Sequence, residues 1–356
     1  MRFGKPDRLP CMEWLGFWPE TIDRWRNEGL PKYEIELFLG LDRFARVPFG
    51  VSSATNPLVP PFVDEFIREE GAFEIRRNQE GVIYRLFKGG TQTMMPQWLR
   101  YPISGREDFA EIRKRLNPDS VDRYPIDLQD FAQTIATRDY PIGVWAGSLF
   151  GWIRNWMGLE GISYALYDDL AFVEEMMEYI TDFMEAILNK LLIQIGPVDF
   201  ALFWEDMACK SGPLISPKHF RMLMVPRYER LTALLRRYGI DIILVDCDGD
   251  CEPLIDLWLE GGVTGIYPLE VAAGMDPVVL RKRYGKDLMM IGGIDKRALA
   301  KGRKEIEAEV IPKIEFLADA GGWIPSVDHL VPPDVPLKNY LYYLQLVREI
   351  GNRNRG

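Results

Sequence analysis

From residue 140 onward the chain alternates short apolar runs with stretches of helical periodicity, and few architectures accept that rhythm. "YPIGVWAG" (140–147), "VDFALFWED" (198–206), "DIILVDCDGD" (241–250), "VTGIYPLE" (263–270), "DLMMIGGID" (287–295) and "GWIPSVDH" (322–329) read as strands. Between them, apolar residues recur at helical spacing, as in Val173, Met176, Ile180, Phe183, Ile187 and Leu191 ahead of Gly196. Ser216 and Pro217 open a helix that Gly239 closes, with Pro226 expected to kink or divide it. Asp276 caps another helix, which stops at Gly285. Further helices are expected around 251–260 and 304–319, and at the C-terminus over "YLYYLQLVREI". Nearly continuous apolar strands separated by helices require a parallel sheet with both faces buried. "ARVPFGV" (45–51) supplies an earlier strand, making seven, one short of an eight-stranded barrel. An open doubly wound sheet competes, but no glycine-rich dinucleotide fingerprint follows any strand.

The rest of the chain is organised around that repeat. Residues 1–44 form an N-terminal extension, and 52–105 break the rhythm. "FEIRRNQEGVIYRLFKGG" reads as a hairpin turning near Gly81, inside an insertion or lid. A capping box, Ser104 and Glu107, precedes the resumed helical pattern of Phe109, Ile112 and Leu116. No linker or repeat marks a second domain, so 1–356 reads as one domain.

Composition removes several function classes. A net charge of −10 argues against nucleic acid and anionic membrane as partners. No apolar stretch approaches the ~20 residues of a membrane helix, and the first residues lack the apolar run of a signal peptide. Four scattered cysteines, at 11, 209, 247 and 251, suit a reducing, cytoplasmic setting. Ten Trp, 15 Tyr and 18 Phe supply a large core or an aromatic-lined pocket.

In a barrel of this kind the site lies at the C-terminal strand ends. Five consecutive strand ends carry acids: Glu205 and Asp206; Asp246, Asp248 and Asp250; Glu270; Asp295; and Asp328 beside His329. Converging carboxylates require a metal, a proton or a cationic substrate. Asp250 and Asp295 precede helices and are better explained as caps. Glu205 and Asp206 face opposite ways in an ideal strand, so only one points inward. Asp246 and Asp248, two apart in the strand "ILVDCD", should share a face, with Cys247 turned into the strand–helix interface. His219, in the first turn of its helix, reads as a surface residue.

"PLEVAAGMDPVVLRKRYGKDLMMIGGIDKRALAKG", "GGWIPSVDHLVPPDVPLKNYLYYL" and "EDMACKSGPLISPKHFRMLMVPRYERL" resemble the uroporphyrinogen decarboxylase superfamily. The resemblance runs from about residue 140 to the C-terminus and extends loosely over 1–100. It implies a (β/α)8 TIM barrel. The decarboxylases of that superfamily grip their substrate's acids with an N-terminal RQAGR motif. Here "RFGKPDRLPCMEW" stands instead, and "VPFGVSS" replaces the early FSD motif, while His329 in "SVDHLV" matches the LGHG histidine. The methyltransferase branch, which includes coenzyme M methyltransferases and aryl O-demethylases, is more similar. Its zinc-binding HxCG motif corresponds to "DCDG", placing Asp246 at the His and Asp248 at the Cys. The later zinc-binding Cys of that branch falls near Ser326 to Asp328, so the thiolate ligands are absent.

The resemblance therefore implies a methyltransferase moving methyl from a small methylated substrate, such as a methoxyarene, to a corrinoid protein. Asp248, Glu270 and His329 are the expected zinc ligands, with zinc acting as a Lewis acid on the ether oxygen. Asp246, Asp206 and Glu205 are the expected acid–base groups. A cofactor-free decarboxylase or lyase, and a non-catalytic ligand-binding barrel, are the alternatives. A homodimer is compatible with either enzyme reading.

Overall fold

The computed structural model describes residues 1–4, 7–51, 53–90, 94–124 and 127–353. The chain divides into two compact units. One comprises Arg46–Glu205 and Ile215–Asp241; the other comprises Met1–Ala45, Asp206–Leu214 and Ile242–Gly356.

The first unit contains the parallel strands β1 (Ile142–Gly147) and β2 (Phe200–Trp204), with Val144 opposite Ala201 and Trp145 opposite Leu202. Their residues are almost wholly buried, as a parallel pair covered on both faces requires. Between them run α1 (Phe150–Asp168) and α2 (Leu170–Ile195). Asp169 caps α2 through the Phe172 N–H. The apolar stripe read from the sequence, Val173 through Leu191, is buried along α2. α1 is broken at Gly158, whose φ of +74° and close approach to the Tyr101 ring exclude a side chain. The helix over 216–239 is divided as expected, into α3 (Pro217–Leu223) and α4 (Val225–Arg237), with Pro226 in the first turn of the second. Ser216 accepts the His219 N–H, as a cap should. His219 is half-buried, its ring against Tyr167.

The same unit carries a four-stranded antiparallel sheet of Glu65–Glu70, Phe73–Arg77, Ile83–Phe87 and Gln97–Arg100. Its central turn is closed by Asn78, whose side-chain oxygen accepts the N–H groups of Glu80 and Val82. Cross-strand aromatic pairs, Phe73 with Phe87 and Tyr84 with Trp98, fix its register. The capping box is different from the expected one. Ser104 donates to Asp108 rather than engaging Glu107, and Gly105 is the cap residue of Arg106–Arg113.

The second unit holds β3 (Ile243–Asp246), β4 (Gly265–Leu269), β5 (Met289–Gly292) and β6 (Trp323–Ile324), each parallel to the next. The helices Glu252–Glu260, Pro277–Tyr284 and Arg303–Leu317 connect them, and Leu337–Arg353 follows. The N-terminal residues are built into this unit rather than extending from it. Thr21 and Trp25 donate to the Val331 and Val335 carbonyls, and the Trp14 N–H donates to Ser326.

Three strands differ most from expectation, and the last of them, expected over 322–329, contracts to Trp323–Ile324 and leaves Asp328 and His329 beyond it. The run 45–51 contracts to Ala45–Arg46, where Pro48 removes a ladder donor. The third late strand stops at Asp246, so Asp248 lies beyond it and strand parity does not relate the two acids.

Candidate functional site

The strand-end acids fall into two groups with different surroundings. Glu205 follows β2 and is fully buried. Its carboxylate accepts the backbone N–H groups of Leu149, Phe150 and Gly151 at 2.9, 2.8 and 3.0 Å, the Ser148 hydroxyl at 3.2 Å and the Tyr228 hydroxyl at 2.5 Å. These N–H groups open α1, which has no side-chain cap of its own. A carboxylate placed there satisfies orphan donors and complements the helix dipole. Burial pushes the Glu205 carboxyl up, and the Tyr228 and backbone donors oppose that shift. With five protein donors aimed at it, Glu205 serves as a remote helix cap.

Asp206, its neighbour, is half-exposed and adopts a left-handed φ of +42°, uncommon for a residue with a side chain. Its N–H donates to the Asp246 carbonyl at 3.1 Å. Asp246, the last residue of β3, is also half-buried.

The turn after Asp246 is fastened on two sides. Gly249 has φ of +77°, and a Cβ there would lie 2.7 Å from the Cys209 backbone. The Asp250 N–H donates to the Cys209 carbonyl, and the Gly249 N–H donates to Glu270 Oε2 at 2.9 Å. Asp250 accepts the Glu252 N–H at the start of the next helix, although Cys251 rather than Asp250 is that helix's cap residue. Cys247 is buried, its sulfur accepting the Met207 N–H, and burial holds its thiol protonated.

Around this turn the ends of β4, β5 and β6 bring together Glu270, Lys296, Asp328 and His329 with Asp248. Asp328 is fully buried and accepts the Val271 and Lys296 N–H groups at 3.2 and 3.1 Å. The Lys296 Nζ stands 3.3 Å from Asp328 Oδ1 and 3.6 Å from Glu270 Oε1. Burial pushes the Asp328 carboxyl up, and the Lys296 charge opposes this. His329 Nε2 lies 3.3 Å from Asp248 Oδ2, with side chains 26% and 37% exposed. Burial alone would lower the imidazole, but Asp248 outweighs it and holds His329 above its ordinary range. Glu270 and Lys296 reach solvent to a similar degree as His329, and Asp328 alone of the cluster is closed off. Asp295, by contrast, caps the turn Lys296–Leu299 and binds the Arg297 side chain, while Asp276 caps Pro277–Tyr284.

Behind the cluster lies Glu13, buried and bonded by the Ser326 and Tyr340 hydroxyls at 2.6 and 3.0 Å. Burial pushes its carboxyl up to about 8. Lys296 and Glu13 are the participants that sequence reasoning missed. Lys296 directly follows a capping Asp, and Glu13 lies over 300 residues from its partners. A signal was present for Lys296, since convergent acids require a counter-cation.

The structure thus brings together Asp248, Glu270 and His329, but not as a metal-binding set. Among the described residues no three His, Cys, Asp or Glu side chains converge so as to hold an ion. Glu270 is engaged by Lys296 and the Gly249 N–H, so the donor set does not fit zinc as placed. A groove of about 540 Å³ is lined by Asp119, Tyr124, Asp127 and Lys190, and holds none of these residues.

The sequence profile described as uroporphyrinogen decarboxylase (URO-D) matches residues 90–350. The chain belongs to the uroporphyrinogen decarboxylase family. This is a family of TIM-barrel enzymes. Among solved structures, a methyltransferase from Methanosarcina mazei is 16% identical, with 96% of this chain and 94% of that chain covered at a TM-score of 0.62, which shows the same fold. A B12-independent methionine synthase from Shewanella sp. W3-18-1 is 12% identical, with coverage of 99% and 95% and a TM-score of 0.39. No curated protein matches the sequence. Among the described residues no helix is long and apolar enough to cross a membrane.

Proposed function

We propose that this member of the uroporphyrinogen decarboxylase family transfers a methyl group from a small methylated compound, such as a methoxyarene, to a corrinoid carried by a separate protein. The observation carrying this reading is the half-exposed His329–Asp248 pair, an imidazole that Asp248 holds above its ordinary range at the strand ends where sites in this fold lie. Family membership and the likeness to the Methanosarcina mazei methyltransferase give it context.

A reduced corrinoid on the partner protein would supply the nucleophile for the methyl carbon, a cobalt(I) electron pair. The carbon–oxygen pair stays on the substrate oxygen. His329 gives that oxygen its proton, so a neutral phenol or alcohol leaves. Asp248 stabilises the imidazolium before transfer and orients the ring. Lys296 holds Glu270 and Asp328 in place, so their charges do not repel a developing phenolate. Asp246 and Asp206, half-buried beside the turn, would serve to return the proton to His329 through solvent. Glu205 has no part in the step, because its oxygens are already occupied.

Incubation with a reduced corrinoid protein and a panel of methoxyarenes, methylamines and methylthiols should convert the cobalt(I) spectrum to that of methylcobalt. Absence of conversion across the whole panel overturns the reading. A decarboxylase reading is favoured by Lys296 and His329, whose side chains suit a substrate carboxylate. CO2 release from carboxylated substrates without corrinoid would establish it.

A further inference from the structure

The cluster carries its own cation. Lys296 is fixed at both ends. Its backbone N–H donates to Asp328 Oδ1 at 3.1 Å, within a turn that Asp295 caps. Its ammonium returns to the same oxygen at 3.3 Å and reaches Glu270 at 3.6 Å. Asp328 is wholly buried, so its charge is screened little by water. Of the expected zinc ligands Asp248, Glu270 and His329, Glu270 is the one this ammonium faces, and a divalent ion would need it deprotonated and turned toward itself. An ammonium already seated beside Glu270 repels such an ion at short range and competes for its oxygen.

We propose that Lys296 is the resident counter-cation of this site and excludes zinc from the set Asp248, Glu270 and His329. The inference rests on taking this cluster as the functional site, but not on the reaction assigned to it. It also accounts for how strand ends so rich in acid stay compatible with a folded chain. Methyl or carboxyl chemistry at this site would then rely on protein protons rather than on a zinc ion held by these residues.

Zinc binding by isothermal titration calorimetry, on the full chain in metal-free buffer, tests this without turnover. The wild type and Lys296→Arg, which keeps the charge, should take up no stoichiometric zinc. Lys296→Met, similar in length but neutral, should take up one equivalent, roughly tenfold or more tighter than wild type. Adding Glu270→Gln should remove that gain. Circular dichroism checks folding, and Lys296→Gln replaces the Met variant if that variant does not fold. Wild-type uptake of one equivalent that His329→Ala abolishes overturns the proposal. So does indistinguishable zinc affinity in the Met and Arg variants. A negative cobalt-methylation assay would count against the proposed reaction and leave this result untouched.

Discussion

Glu205 and Asp328 are both fully buried carboxylates at the end of a strand, and the chain treats them differently. Glu205 meets neutral donors only: three backbone N–H groups and two hydroxyls. Asp328 meets two backbone N–H groups and an ammonium that is shared with Glu270. The first arrangement closes on itself and ends as a helix cap. The second couples outward through Lys296 to Glu270 and the half-exposed His329–Asp248 pair. An acid at a strand end is therefore not a functional signal by itself. What distinguishes the two is whether the donors around the acid are complete without a solvent-facing partner.

The sharpest way to break this contrast is at Glu205. Glu205→Ala orphans the N-terminal donors of α1 and the Tyr228 hydroxyl, and should cost about 3–5 kcal/mol in chemical denaturation. Glu205→Gln, which keeps one acceptor, should cost less. If Glu205→Ala lost activity at unchanged stability, the capping role would be wrong.

Glu13 extends the comparison to a third buried carboxyl, with its proton held in place. Its carboxyl is near 8 when folded and near 4.5 when unfolded. Between those values the folded chain binds the extra proton, so stability falls as pH rises through the window. The slope is at most about 1.4 kcal/mol per pH unit. Denaturant midpoints at pH 5.5 and 7.5 should converge in Glu13→Gln relative to wild type.

The smallest effect concerns the exposed pair. Asp248→Asn should lower the His329 titration midpoint, read from imidazole NMR signals that only two histidines contribute. Because Asp248 raises the folded value, the stabilisation is complete at low pH and is lost as pH rises through the His329 midpoint. The pair is partly exposed, so its stability contribution should stay below about 1 kcal/mol. An unchanged midpoint in Asp248→Asn would show that the two side chains do not interact in solution.

Much of the fold was legible because its determinants are local. Ser216, Asp276 and Asp295 each sit next to the helix they cap, and the apolar stripe of α2 repeats within its own sequence. What failed was either non-local or conformational. The cap of α1 comes from a residue more than 50 positions away, which no local pattern encodes. Asp246 and Asp248 share a face only if the strand runs through both, and it stops at Asp246 after four residues. The strand ends of the sequence locate Asp248, Glu270 and His329 near one another, whereas the lysine between the carboxylates follows a capping Asp and carries no strand-end signal of its own. The hairpin turn at Asn78–Val82 could be read from its asparagine and glycine, but not the two further strands beside it.

The contact between Gly249 and the Cys209 backbone has a practical use. Cys11, Cys247 and Cys251 are buried, whereas Cys209 is exposed, with its thiol lowered first by the Ser211 hydrogen bond. A maleimide dye should therefore attach at Cys209 without any engineered residue. Its backbone lies against the turn that carries Asp248, so the dye becomes a built-in gauge of whether that turn shifts when a ligand arrives.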